Sequence, residues 1–279
     1  MQIKVKTPAK INYTLEILGK RPDGYHEIQS VMQMINLYDY LTFDIEPTTE
    51  EQIILSGNSN KIPYNEKNIV YKAIKKFSEY SNITPHTFNC KIEKNIPTEA
   101  GLAGGSSNAV GTLIALNSFF NNILSDNYIN KICAELGSDL NVILLGGCVF
   151  AQGRGEKVSS LPFIEYPVSL IKPNIGISAK EGYSKYNELK DKPEFNNTKE
   201  LIKCLNNHSD IRNYLYNDIE TAIIKFYPEL QKIKSANPNS IMSGSGSTYF
   251  SLTNNINIVE DHWYKENLKT ISSGCEIID

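Results

Sequence analysis

Apolar and polar residues alternate from Lys10 to Leu18, and this period of two predicts a β-strand with two different faces. Lys10 and Asn12 then lie beside each other on the polar face, at the entrance of the strand. We expect the polar face to be solvated at Glu16, whereas Lys10 and Asn12 either share that solvated face or belong to a binding site.

The spacing of apolar residues also predicts the secondary structure of most of the remaining chain. Apolar residues spaced by three and four predict helices, and short alternating or apolar runs predict strands. The pattern changes near residue 161, so we expect an α+β protein with two domains, residues 1–160 and 161–279. The predicted strands cover residues 28–36, 40–46, 53–55, 88–92, 148–152, 168–172, 175–178 and 275–278; the predicted helices cover residues 69–80, 126–136, 180–188, 198–205, 218–226, 229–235 and 258–268.

The most informative stretch runs from Lys94 to Leu116. Its first half contains Pro97 and a loop with three glycines and two alanines among the six residues from Ala100 to Gly105, and its second half has the periodicity of a helix. Ser106 and Ser107 stand at the junction, where a helix favours a hydroxyl N-cap. A bare loop that leads into a helix N-terminus predicts an anion site, most plausibly for phosphate. The alternative is a capped helix after a flexible loop.

Two familiar phosphate loops do not match this stretch. A P-loop would need a lysine after its last glycine, where this chain has Ser106. A dinucleotide fingerprint would need glycines in the spacing Gly-x-Gly-x-x-Gly directly after a strand, and that spacing does not occur here.

Composition narrows the class of protein. The chain has 279 residues, of which 41% are hydrophobic, and a net charge of −3, which argues against a general nucleic-acid binder. Its five cysteines are odd in number and widely spaced, which favours a reducing compartment over a disulfide framework or a zinc site. No signal-peptide pattern or membrane-length apolar run is visible, so we expect a cytoplasmic protein without a membrane partner.

Three further sets of residues could take part in binding or catalysis, and each also has an ordinary structural explanation. Tyr25 and His26 follow a Pro-Asp-Gly turn and could bind a planar ring, or they are a half-buried tyrosine and a surface histidine. Asp139 lies between a helix end and an apolar run, where an aspartate is often only a turn former. Arg154 lies between two glycines, which suits phosphate contact but also suits an exposed turn.

Several motifs occur in a fixed order along the whole chain and together resemble the GHMP kinase superfamily. They are Pro8-Ala9-Lys10-Ile11-Asn12, Gly19-Lys20-Arg21-Pro22-Asp23-Gly24-Tyr25-His26, the segment 97–109, Gly137-Ser138-Asp139 and Ser243-Gly244-Ser245-Gly246-Ser247. The resemblance implies a two-domain α+β fold with the active site in the cleft between the domains. It also implies transfer of the γ-phosphoryl group of ATP, with Mg²⁺, to a hydroxyl of a small molecule. The Tyr-His segment and the opening motif resemble the members whose substrate is 4-diphosphocytidyl-2-C-methyl-D-erythritol, in the non-mevalonate isoprenoid pathway.

The resemblance also implies roles for individual residues. Asp139 matches the catalytic aspartate and Lys10 the lysine beside it; Ser107 is a candidate Mg²⁺ ligand. The substrate residues implied are Asn12, Tyr25, His26, Arg154 and Tyr183. The ATP residues implied are Asn68, Lys94, Pro97, Gly101, Leu102, Ala103, Gly104, Gly105, Ser106 and Ser107. A second glycine loop, formed by Ser243, Gly244, Ser245 and Gly246, is expected to support them.

Some residues depart from the pattern of the superfamily, and two other functions stay open. Glu99 places a carboxylate at the edge of the phosphate loop, Ala103 stands where glycine is common, and Asn141 stands where proline is usual. One alternative is a GHMP kinase for homoserine or mevalonate, which would leave the aromatic residues without a base to bind. The other is a non-catalytic nucleotide sensor. The sequence predicts no oligomeric state.

Overall fold

Two β-sheets with helices packed on them form the protein. The computed structural model describes residues 2–189, 196–259 and 262–278. The strands are β1 (Gln2–Lys20), β2 (His26–Pro47), β3 (Gln52–Gly57), β4 (His86–Glu93), β5 (Cys148–Gly153), β6 (Lys157–Ser160), β7 (Pro167–Lys172), β8 (Tyr216–Asn217), β9 (Ile241–Met242), β10 (Tyr249–Ser251), β11 (Trp263–Lys269) and β12 (Glu276–Ile278). The helices are α1 (Ile69–Ser81), α2 (Gly104–Phe119), α3 (Asp126–Leu136), α4 (Leu140–Leu145), α5 (Ala179–Asn187), α6 (Asn197–Asn206), α7 (Asp218–Ile223) and α8 (Pro228–Ala236). The prediction of an α+β protein is confirmed.

The first sheet is built on the antiparallel pair β1 and β2, which stay paired from Gln2↔Asp44 to Lys20↔His26. The first half of β2 also pairs with β5, and its second half pairs with β4. The two strands predicted in this region are therefore one continuous strand. The register shifts between Pro8 and Ala9, immediately before Lys10. This irregularity lies where the strand enters the candidate site.

The second sheet has the order β11-β7-β10-β9, and all its pairings are antiparallel. All four strands come from residues after 160, yet β8 and β12 return to pair with β1 in the first sheet. The C-terminal half is thus joined to the central strand of the N-terminal half at two places. A division into domains at residues 160 and 161 stays a proposal.

Both faces of β1 are buried in its central part, contrary to the expected solvated face. Glu16 is only 3% exposed, and it accepts hydrogen bonds from Gln29 Nε2 and from the backbone N–H of Thr198. On the same strand, the carbonyl of Pro8 accepts a hydrogen bond of 2.6 Å from Ser107 of α2. The alternating pattern located the strand correctly, but the C-terminal half covers the face that it marks as polar.

Two predicted elements are wrong. Residues 175–178 form no strand, although two of them, Ile175 and Ile177, carry β-branched apolar side chains. Residues 258–268 were predicted as a helix. Of these, 260 and 261 lie outside the described residues, and Trp263 begins β11, which pairs with β7. A short amphipathic segment takes the structure that its neighbours offer, and here the free edge of β7 decides it.

The cysteines are unpaired, and most of their thiols are buried. Burial raises the pKa of Cys133, Cys148 and Cys275 to about 12, and it also raises the pKa of Cys90. Cys204 is partly exposed. Location in a reducing compartment, and in the cytoplasm, stays a prediction.

No helix in the described parts of the chain is both long enough and apolar enough to cross a bilayer.

These environments predict selective alkylation. A thiol with a pKa of about 12 is ionised in roughly one molecule in ten thousand at pH 8, and only the thiolate reacts. Iodoacetamide should therefore modify Cys204 before Cys133 or Cys148 in the native protein, and all five cysteines in urea. Peptide mass spectrometry over time measures this order. Rapid native labelling of Cys133 or Cys148 would contradict the burial described here.

Candidate active site

A cavity of about 1060 Å³ lies between the two halves of the chain. Its walls come from β1, the turn before β2, the segment before α2, the start of α4 and the helix α5. Most of the sequence-predicted site residues line this cavity. They are Lys10, Asn12, Tyr25, His26, Asn68, Lys94, Pro97, Gly101, Ala103, Gly104, Gly105, Ser106, Asp139, Arg154, Tyr183, Gly244 and Ser245.

Four predicted residues lie behind the cavity wall: Leu102, Ser107, Ser243 and Gly246. Ser107 is fully buried, and its hydroxyl donates to the carbonyl of Pro8. The expectation that Ser107 is a Mg²⁺ ligand does not agree with this geometry, because its hydroxyl points into the β1–α2 interface. In this structure Ser107 holds α2 against β1.

The N-terminus of α2 faces the cavity, but the helix begins earlier than predicted. Its first residue is Gly104 and its N-cap residue is Ala103, so the prediction of a serine N-cap is wrong. Ala103 has a left-handed φ of 55°, makes no side-chain cap, and is followed by no acidic residue in the first turn. The N–H groups of Gly104, Gly105 and Ser106 therefore have no capping side chain, which leaves them directed at an anion.

The two glycine loops touch each other through their backbones. A Cβ at Gly101, where φ is +72°, would lie 1.9 Å from the carbonyl oxygen of Ser243. The Ser243 hydroxyl donates to the carbonyl of Gly101 over 2.9 Å, and the N–H of Thr248 donates to the carbonyl of Ala100 over 3.3 Å. Glycine is therefore needed at position 101 for both its conformation and its space.

Lys10 and Asp139 form the charged pair of the cavity. Lys10 Nζ lies 3.5 Å from Asp139 Oδ2 and donates to Asn12 Oδ1 over 2.7 Å. The Lys10 side chain is only 4% exposed, whereas 32% of the Asp139 side chain is exposed. Asn12 is fixed in turn, because its Nδ2 donates to Ser30 Oγ. The Asp139 carboxylate therefore lies beside the buried Lys10 ammonium and still faces the cavity.

Lys94 is predicted to bind ATP, but in this structure its ammonium is engaged by another residue of the protein. Its ammonium pairs with Asp39, a fully buried carboxylate on β2. Asp39 also accepts hydrogen bonds from the N–H groups of Asn95 and Ile96 and from the side chain of Asn108. Asp39 thus fixes the entry of the phosphate loop and the first turns of α2. Sequence reasoning missed Asp39, because residue 39 falls between two predicted strands, where an aspartate is ordinarily a turn residue.

Asn68 is the N-cap of α1. Its Oδ1 accepts from the N–H of Val70 over 2.9 Å, and its Nδ2 donates to the carbonyl of Pro63. The side chain lines the cavity while both ends of its amide are engaged in local structure. This arrangement gives Asn68 a helix-capping role, and its predicted contact with adenine stays a prediction.

Three aromatic side chains, Tyr25, His26 and Tyr183, line the cavity. The rings of His26 and Tyr183 stack with centroids 4.8 Å apart and an interplanar angle of 16°. The Arg154 guanidinium lies 4.8 Å from the Tyr25 ring centroid, and His26 Nε2 lies 2.9 Å from Asn187 Oδ1. Burial, with a smaller contribution from the charge of Asp139, raises the pKa of Tyr183, so its phenol stays neutral.

The charge of the cavity favours a polyanion. Six cationic side chains line it, against the two carboxylates of Glu99 and Asp139. The cations are Lys10, Lys20, Lys67, Lys94, Lys180 and Arg154. Positive charge in a concave, partly desolvated site raises the local concentration of phosphate-bearing ligands.

Comparisons with known proteins agree with this geometry. Residues 68–147 match the model of the GHMP kinases N terminal domain. A protein of Lachnoclostridium phytofermentans named 4-diphosphocytidyl-2-C-methyl-D-erythritol kinase is 38% identical, and the alignment covers 94% of this chain and 92% of that protein. A protein of Prochlorococcus marinus with the same name is also 38% identical, and here 100% of this chain and 96% of the relative are covered.

The chain belongs to the 4-diphosphocytidyl-2-C-methyl-D-erythritol kinase family.

Solved structures support the same family and fold. A crystal structure of 4-(cytidine 5'-diphospho)-2C-methyl-D-erythritol kinase is similar, with a TM-score of 0.73 and 27% identity over 89% of each chain. Homoserine kinase from Cytophaga hutchinsonii has a TM-score of 0.77 at 18% identity, covering 99% of this chain and 97% of that one. The second likeness concerns the fold alone.

The structure shows the environment of each residue that departs from the superfamily pattern, namely Glu99, Ala103 and Asn141. Glu99 has a φ of 49° and lines the cavity, with its carboxylate against the backbone of Gly176. Ala103 adopts a left-handed conformation that costs a residue with a Cβ roughly 1–2 kcal/mol. Asn141 is 9% exposed, and its Nδ2 is 3.5 Å from the carbonyl of Glu156. The kinase family fold therefore tolerates side chains at these positions without losing the cavity.

We predict that Asp39→Asn destabilises the protein by about 3–5 kcal/mol, because it leaves the Lys94 ammonium buried without its carboxylate. Urea unfolding followed by circular dichroism measures the change. The control is Glu165→Gln, which breaks the exposed pair of Glu165 with Lys269 and should cost less than about 1 kcal/mol. Equal losses in the two variants would show that the buried carboxylate has no special weight.

Proposed function

We propose that this chain transfers the γ-phosphoryl group of ATP to the 2-hydroxyl of 4-diphosphocytidyl-2-C-methyl-D-erythritol in the non-mevalonate isoprenoid pathway. The observation that carries the proposal is the Lys10–Asp139 pair, which lines the same cavity as the uncapped N-terminus of α2. One feature prepares a hydroxyl and the other holds phosphate. Membership of the kinase family supports the same reaction.

Phosphoryl transfer depends mainly on positioning and on neutralising charge. In the proposed mechanism, the N–H groups of Gly104, Gly105 and Ser106 bind phosphate oxygens of ATP. Asp139 accepts the proton of the substrate hydroxyl as the hydroxyl oxygen attacks the γ-phosphorus, and the bond between the γ-phosphorus and the β,γ-bridging oxygen breaks to release ADP. Lys10, which pairs with Asp139, stabilises negative charge on the transferring group. Asn12 orients Lys10 through the hydrogen bond between their side chains.

The proposal includes Mg²⁺ bound together with ATP, and such an ion needs oxygen ligands from the protein or from the phosphates. In kinases it is commonly held by one or two carboxylates together with the phosphates of the substrate. Within the described residues, no group of three His, Cys, Asp or Glu side chains could hold an ion by itself. The residues fit an ion carried mainly by the ATP phosphates, with Asp139 as the protein group that would hold it. When bound, the ion would neutralise phosphate charge.

The aromatic end of the cavity supports a cytidine substrate. We propose that Tyr25 and Tyr183 hold the cytosine ring, that His26 bonds its edge, and that Arg154 binds the diphosphate. Contacts so far from the reacting hydroxyl fix orientation and so contribute to the rate as well as to affinity. In this structure His26 lies on Tyr183 and Arg154 lies on Tyr25, so the base would replace contacts that these side chains make with one another.

Two other functions fit the fold less well. A homoserine or mevalonate kinase has a substrate without a base, and the cluster of Tyr25, His26 and Tyr183 would have no partner. The likeness to homoserine kinase concerns only the fold. A nucleotide sensor would not need the Lys10–Asp139 pair, which is present and faces the cavity.

We expect Asp139→Ala to lower kcat by a factor of about 10²–10⁴, the usual contribution of a positioned general base. A coupled assay of ADP release with ATP, Mg²⁺ and the cytidine substrate measures it. Parallel reactions use homoserine, mevalonate or no acceptor. ADP release with another acceptor would overturn the substrate, and no release from folded protein that binds ATP would favour the sensor.

Tyr183→Ala should raise KM for the cytidine substrate about 5- to 100-fold, because stacking on a base contributes roughly 1–3 kcal/mol. KM for ATP should stay within about twofold, since the ATP loop lies at the other end of the cavity. Tyr183→Phe is the matched control, since it keeps the ring and removes only the hydroxyl. An unchanged KM for the cytidine substrate in Tyr183→Ala would remove Tyr183 from the substrate site.

A further inference from the structure

We infer that Asn217 is a positioning residue for phosphoryl transfer, acting through the second glycine loop (Ser243–Gly246). The inference rests on the proposed function for its kinetic consequence. Neither the sequence motifs nor the predicted site residues include Asn217, which does not line the cavity. Its side chain nevertheless joins the loop to the rest of the site.

The Asn217 amide is fully used. The residue ends β8, caps α7 and is only 2% exposed. Its Oδ1 accepts from the N–H groups of Ile219 and Glu220 over 2.8 and 3.2 Å. Its Nδ2 donates to the carbonyls of Met242 and Gly244 over 2.6 and 2.8 Å. One side chain thus holds both a helix N-terminus and the backbone of the glycine loop.

The glycine loop that Asn217 holds packs against the side chains of Lys10 and Asn12. A Cβ at Gly244 would lie 3.3 Å from Lys10 Nζ and 3.4 Å from Asn12 Oδ1, so the loop backbone packs directly on this pair. The hydroxyl of Ser243 accepts from the N–H of Asn12 over 3.3 Å and donates to the carbonyl of Gly101. The loop therefore contacts the Lys10 side and the phosphate-loop side at once.

Asparagine is suited to this position because its amide has two donors and an acceptor with two lone pairs. Aspartate or serine could still cap α7, since both are good N-cap residues. Aspartate, however, would place a carboxylate oxygen about where Nδ2 meets two carbonyl oxygens. Serine is too short to reach them. Both changes keep the cap and release the carbonyls of Met242 and Gly244.

Glu220 also holds Met242, in β9. If the Asn217 amide no longer held the carbonyls of Met242 and Gly244, we therefore expect the glycine loop to move and β9 to stay in place. Glu220 Oε2 accepts from the N–H of Met242 over 2.9 Å, and its Oε1 pairs with Lys234. Burial raises the pKa of Glu220, and its pairing with Lys234 opposes that effect. Met242 thus keeps one anchor when Asn217 is changed, whereas the carbonyl of Gly244 loses the amide that holds it. The expected displacement lies at Gly244, beside Lys10.

The kinetic test compares Asn217→Ser and Asn217→Asp with a matched control, Asn237→Asp. Asn237 is also buried, donates to the carbonyls of Ile233 and Asn257, and accepts from the N–H of Asn257, away from the cavity. A displacement of about 1 Å at a reacting group can cost on the order of 100-fold in rate. We expect both Asn217 variants to lower kcat about 10- to 100-fold, with KM for both substrates within about threefold. Asn237→Asp should lose comparable thermal stability and keep kcat within about twofold.

A kcat of Asn217→Ser within about twofold of the parent protein would overturn the inference, as would an equal loss of kcat in Asn237→Asp. Asn217→Ser serves if Asn217→Asp does not fold, because serine introduces no buried charge.

Hydrogen exchange gives a readout independent of the reaction. Peptides that cover residues 243–248 and 100–102 should exchange faster in Asn217→Ser than in the parent protein and in Asn237→Asp. Unchanged exchange in both segments would overturn the inference even if activity fell. Faster exchange in Asn217→Ser, together with a parent protein that phosphorylates no acceptor, would support the loop contact and refute the proposed function.

Discussion

The close approach of two glycine loops to β1 is the constraint on which the rest of the site depends. The carbonyl of Gly101 accepts from the Ser243 hydroxyl, and Gly244 packs on Lys10 and Asn12. These contacts leave little room for a side chain at positions 101 and 244. They join residues far apart in the chain, so the phosphate loop and the charged pair reach their places only when both halves have folded together. Stability and catalysis therefore depend on the same contacts.

Two buried lysines, Lys94 and Lys10, each pair with a carboxylate, but the two carboxylates have different environments. Lys94 faces a fully buried carboxylate, Asp39, and this pair shapes the phosphate loop. Lys10 is equally hidden but faces Asp139, which remains open to the cavity. The first pair is suited to structure because both charges are enclosed. The second is suited to chemistry because one partner can still meet a ligand. Desolvation makes both pairs strong and makes the loss of either partner costly.

The two proposed recognition sites of the cavity use different kinds of group. The proposed phosphate site consists of backbone N–H groups at the start of α2, which do not depend on side-chain identity. The proposed base site consists of rings and a guanidinium, which in this structure pack on one another. A substrate that binds both sites would be oriented by its base while its hydroxyl meets Asp139. This division explains how a fold shared with homoserine kinase can serve a substrate that carries cytidine.

Much of this protein could be predicted from local sequence. The helix periodicity of α1 and α3, the alternation in β1 and the glycines at 101, 104 and 105 depend on conformational preferences that act over a few residues. The family motifs selected most of the residues that line the cavity. Local preference failed at 258–268, where a free strand edge decided the structure, and at the start of α2, where Ala103 rather than a serine precedes the helix.

Only the tertiary structure decided which polar residues are buried and what they hold. Asp39, Glu16 and Asn217 carry no local pattern that distinguishes them from surface residues, because their partners come from distant parts of the chain. The same holds for Ser107, whose place in a glycine-serine loop suggested a ligand but whose hydroxyl donates to Pro8. Sequence determined where helices, strands and phosphate-binding backbone could form, since those depend on neighbouring residues. The direction of each polar side chain depended on burial and on partners from distant parts of the chain, and the pattern of neighbouring residues contains no information about either.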